Sequence, residues 1–177
     1  TLRASRIEMD QAHTIHQNFL ISLFGVAVAA ALILSIYVDK APLALLLPWC
    51  GWSLLTIVPR YWMIYRKSAH DGINRNPAAF LKINAAFALM TSISFSVWSF
   101  YNLHTQNFSA DATLLFICMA YCAASVITSS AYPPIALSVV IPICLTFGLT
   151  TLLADQPGMV QQLLALLTIF AVFLRVI

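Results

Sequence analysis

The chain reads as an all-α polytopic membrane protein, a bundle of six transmembrane helices with both termini in the cytoplasm. Three observations predict this. The first is composition: of 177 residues, 61% are hydrophobic and only 8% charged, with a mean hydropathy of +0.88. A water-soluble domain carries about 25% charged residues, so this chain lacks the charge to cover a solvated surface. The second is the stretch Ala112 to Ala154, bounded by Asp111 and Asp155, in which only Tyr and Cys are ionisable. One crossing takes about 20 apolar residues, so the stretch holds two helices. Ser129-Ser130-Ala131-Tyr132-Pro133-Pro134 is the break, because proline lacks an N–H and turns the residue before it away from the α region. The third is the one-sided distribution of Lys and Arg, set out below. The apolar runs are continuous, which favours helices over the alternating strands of a barrel.

The elements follow in order. Residues 1–18 are a cytoplasmic helix or arm, with Ser5 and Glu8 spaced as a capping box and Arg3 and Arg6 placed for lipid head groups. The transmembrane domain is 19–177. Span one is Phe19–Val38, and its small residues around Gly25 and Ala29 invite close approach by another helix. The turn Asp39-Lys40-Ala41 leads to span two, Pro42–Tyr65, opened by a proline in the tolerated first turn. Tyr61, Trp62 and Tyr65 form an interfacial belt with Arg60, Arg66 and Lys67. These three basic residues are the predicted membrane anchors, Arg60 by snorkelling from near the helix end.

Span three is Ala78–Tyr101, rich in Ser and Thr and ending in Trp98, Phe100 and Tyr101. Spans four and five are the hairpin Thr113–Ser130 and Pro134–Leu153, and span six is Met159–Arg175. Arg3, Arg6, Arg60, Arg66, Lys67, Arg75, Lys82 and Arg175 fall on one face, and only Lys40 on the other. By the positive-inside rule the first face is cytoplasmic. The first residue is not Met and the last residues continue a helical pattern, so a longer native polypeptide is expected.

The chemistry these spans lack narrows the function. No Asp, Glu, Lys, Arg or His is expected at mid-depth, which argues against an ion-coupled transporter or proton pump. His13, His16, His70 and His104 all lie outside the spans, so no membrane haem is expected, and no cofactor. Cys118 and Cys122 share a helix face, yet a metal site needs three or four ligands, and none is predicted. Neither a nucleophile motif nor a phosphate-cradling glycine loop is present, so catalysis within these residues is not expected. With no solvated basic domain, nucleic acid is not expected as a partner either.

What remains is polar. Ser92, Ser96 and Ser99 lie along one face of span three, and Cys118, Tyr121, Cys122, Ser125, Thr128 and Ser129 form a stripe on span four. Such stripes commonly hold helices together. The functional alternative is a small, mainly apolar ligand pocket built from Ser92, Ser96, Trp98, Tyr121 and Ser125, with hydroxyls fixing orientation.

The layout as a whole is a lead with two Arg, six short-looped spans and a basic loop after Pro59-Arg60. With Trp98 late in span three and Ser129 to Pro134 opening span five, it resembles the N-terminal six-span sensor domains of bacterial signalling proteins. The resemblance implies an inner-membrane input module, acting as a homodimer on membrane lipid or a small lipophilic ligand. It implies control, through the last span, of a C-terminal diguanylate cyclase, cyclic-di-GMP phosphodiesterase or histidine kinase domain. The competing readings are an assembly subunit of a membrane complex and, third, a small-solute transporter.

Overall fold

The computed structural model describes residues 2–65, 76–102, 108–153, 164, 167–172 and 175. They form five long helices: α1 (Leu2–Tyr37), α2 (Leu43–Tyr65), α3 (Pro77–Asn102), α4 (Phe108–Ser129) and α5 (Pro133–Leu153). Four helices are long and apolar enough to cross a membrane, and the apolar part of α4, Thr113–Ser129, is somewhat shorter. Residues 167–172 are also helical, and Phe170 packs against the core. The basic loop with Arg66 and Lys67, the loop with His104 and most of the expected span six lie outside the described residues.

Helix α1 runs 36 residues without a break, about 54 Å at 1.5 Å per residue. No Gly or Pro interrupts it before Gly25. Its inward face continues through the expected arm, since Ala12, Ile15, Phe19, Val26 and Ile33 are all buried at spacings built from three and four residues. Ser5 and Glu8 therefore both lie within the helix, which starts at Leu2.

Caps and prolines set the other boundaries. The Pro42 carbonyl accepts from the Leu45 and Leu46 amides at 2.9 and 3.1 Å, so Pro42 precedes the first turn of α2 and is not part of it. Asn76 caps α3, its Oδ1 accepting from the Ala79 amide at 3.0 Å. Between α4 and α5 the Tyr132 amide donates to the Ser129 carbonyl at 2.9 Å, and α5 starts on Pro133-Pro134, where the missing N–H groups would have had no helical partner. The turn of the hairpin stands where the sequence places it, to within a residue, whereas α4 begins at Phe108, ahead of the expected Thr113.

Antiparallel alternation follows from the contacts. Trp49 meets Phe95 and Trp98 while Trp52 reaches Met90, so α2 and α3 run in opposite directions. Phe95 meets Tyr121 and Ser99 meets Cys118, which opposes α3 and α4. Helix α3 is central: it touches all four of the other helices and packs most extensively on α5.

Candidate functional site

Two layers of the bundle gather its unusual side chains. The first is a row of aromatic rings from four helices. Tyr37 of α1 stands edge-on to Trp98 at 5.6 Å, and Trp98 lies 5.1 Å from Trp49. Trp49 lies 6.1 Å from Phe95, and Phe95 is perpendicular to Tyr121 at 5.2 Å. Each such pair contributes about 0.5–1.5 kcal/mol beyond its area, so the row ties α1, α2, α3 and α4 together.

The five residues singled out in the sequence are all buried, and among the described residues Trp98 borders one groove and Tyr121 and Ser125 another. Ser92 faces α5, its Oγ donating to the Ser138 carbonyl at 2.7 Å. Ser96 follows one turn later, its Oγ without a hydrogen-bond partner among the described residues. Trp98 belongs to the aromatic row and borders a surface groove between α2 and α3. Tyr121 and Ser125 line a different groove, between α1 and α4.

That α1/α4 groove has a volume of about 520 Å³. Small residues on both helices, Gly25 and Ala29 facing Ala120 and Ala124, recess the surface between the exposed rings of Phe24 and Phe116. Gly25 does not mediate the close helix approach expected of it, since a Cβ added there meets nothing within 4 Å. The walls are apolar except for Ser22, Tyr121, Ser125 and Thr113.

The second layer was not foreseen. Arg60 is only 4% exposed and is the one charged side chain buried among the described residues. It does not snorkel outward, which corrects its assignment as a membrane anchor and places a cation inside the helix bundle. Its guanidinium carbon sits 5.0 Å from the centre of the Phe19 ring, a cation–π contact, and its Nε has no hydrogen-bond partner among the described residues. Around it, Asn18, Ser22, Asn84, Thr128 and Ser129 line a small cavity of about 10 Å³. Asn18 Nδ2 reaches the Thr128 carbonyl at 3.4 Å, and Asn84 Nδ2 donates to the Phe80 carbonyl at 3.0 Å, while Asn84 Oδ1 is unpaired among the described residues.

The signal for this burial lay in spacing. Leu46, Trp49, Ser53, Thr56 and Arg60 are all buried on α2, alternately three and four residues apart. Arg60 thus belongs to the inward stripe, and the polar residues of α2 mark its inner face, as expected where lipid rather than water surrounds a bundle. Among the described residues no group of His, Cys, Asp and Glu is arranged to hold a metal. No protein-family model, characterised protein or solved structure matches the chain.

Proposed function

We infer that the chain is the membrane-embedded input domain of a bacterial signalling protein. It crosses the inner membrane six times with both termini in the cytoplasm, pairs as a homodimer, and answers a lipophilic ligand. The last span transmits the response to a cyclic-di-GMP or kinase output domain. The observation that carries the reading is the α1/α4 groove. Its volume of about 520 Å³ falls within the range of small-molecule sites, and its apolar walls carry a few hydroxyls that fix orientation.

A ligand wedged between α1 and α4 favours one packing of the bundle over another, and only such differential binding can drive a signal. The layout of the sequence supports the same reading, through its likeness to six-span sensor domains. Intact-mass measurement of the native polypeptide, with sequencing past Ile177, tests it. A cyclase, phosphodiesterase or kinase domain following residue 177 is the expected result. A chain that stops within a few residues overturns it.

A further inference from the structure

The groove and the Arg60 cavity are consecutive parts of one seam. Ser22 lines both: the cavity lies against Ile15 to Ser22 of α1 and Thr128 and Ser129 of α4, and the groove continues from Ser22 to Ile36 against Thr113 to Ser125. Ser22 to Ile36 spans about 21 Å of helix, open along one side to whatever surrounds the bundle. The seam is thus apolar along most of its length and cationic at one end.

Arg60 gives that end its chemistry. A guanidinium stays charged at any pH a protein tolerates, and a charge taken out of water costs several kcal/mol unless it is paired. The described carboxylates do not pair it. Asp10 and Asp39 are exposed and Glu8 is about two turns before the cavity. The C-terminal end of α4 contributes only about half a negative charge, and the Phe19 ring contributes a quadrupole. Arg60 Nε, on a side chain more than nine-tenths buried and unpartnered among the described residues, is left facing the polar cluster.

Resting on the sensor reading above, we propose that the ligand is a single-chain fatty acid, its tail in the α1/α4 groove and its carboxylate on Arg60 beside Ser22. The cavity of about 10 Å³ is the room of about one water molecule. It therefore admits a single oxygen of a head group whose remaining atoms stay at the Ser22 end of the groove, which favours a slim, planar carboxylate over a bulkier phosphate. The groove is the cleft between two helices, α1 and α4, and its volume of about 520 Å³ suits a single acyl chain. Ser22 lines both volumes and stands at the junction between them.

The test is binding of dodecanoate to the full chain in nanodiscs of zwitterionic lipid, with dodecanol and dodecyl phosphate as comparators, read by native mass spectrometry and competition. Dodecanoate is expected to bind saturably, one per chain, and at least about tenfold more tightly than either comparator, as a charge-assisted contact requires. Arg60→Gln is expected to abolish that preference, and Ser22→Leu, which closes the junction and leaves Arg60 in place, to do the same. Equal binding of dodecanoate and dodecanol, or a preference that survives in Arg60→Gln, overturns the assignment. If Arg60→Gln does not fold, Ser22→Leu decides alone. Selective dodecanoate binding without any change in output activity keeps the site and defeats the sensor reading; output that answers another lipophile while dodecanoate stays unbound does the reverse.

Discussion

Ser92 donates its hydroxyl to the Ser138 carbonyl at 2.7 Å. That carbonyl is the one left without a helical partner by Pro142, which lies inside α5 four residues later and has no N–H to give. A serine on α3 thus repairs a defect in α5, across the most extensive helix contact in the bundle. Ser92→Ala is expected to destabilise by about 1–2 kcal/mol. In a Pro142→Ala background, where the new backbone amide supplies the missing donor, the same change is expected to cost about half as much or less. A double-mutant cycle on unfolding in mixed micelles checks this; equal costs in both backgrounds would show that the two residues are uncoupled.

Phe19 supports Arg60 through its ring. At 5.0 Å and away from water, the contact is expected to contribute about 2 kcal/mol. Phe19→Leu keeps most of the apolar volume and loses that contribution, and its penalty is expected to shrink in the presence of Arg60→Met. Stability measured across the four variants reads the coupling directly.

Gly25 offers the opposite sign. It sits mid-helix facing open space in the groove, so Gly25→Ala gains helix propensity without a clash. An increase in stability of about 0.5–1 kcal/mol is expected. Loss of stability on thermal unfolding would mean that the groove wall is closer than the geometry gives.

Trp98 touches Tyr37, Trp49 and Tyr101 and is buried among them. Trp98→Ala is expected to cost about 3–5 kcal/mol, the range for an aromatic deleted from a packed core. Trp98→Phe retains a ring and should cost clearly less. Chemical unfolding of both variants makes the comparison, and similar losses would argue that the ring contacts contribute little.

How much of this was legible varied with the kind of signal. The α4/α5 hairpin was, because Pro133 and Pro134 act locally and need no tertiary context. Whether residues 1–18 form a helix or an arm stayed open in the sequence, since the polar residues Arg6 to His16 allow either, whereas the buried set from Ala12 to Ile33 runs through them as one face of a continuous helix. Ser92 and Ser125 were legible as inward-facing, but not which neighbour each would meet, because hydroxyl stripes specify a face and leave the partner helix open. Arg60 was misread because position near a helix end permits both snorkelling and burial. The choice was made by Ser53 and Thr56 on the same stripe, a pattern visible only when the face is read before the residue.

The central claim is that occupancy of the α1/α4 seam controls an output domain. The measurement that tests it most directly is output activity of the native full-length protein in nanodiscs, compared with Ala120→Trp, which fills the groove between Gly25 and Tyr121. The account predicts that the filled variant folds, no longer responds to added dodecanoate, and holds one fixed level of cyclic-di-GMP turnover or autophosphorylation. A folded Ala120→Trp protein that still responds to dodecanoate as the native protein does would contradict it.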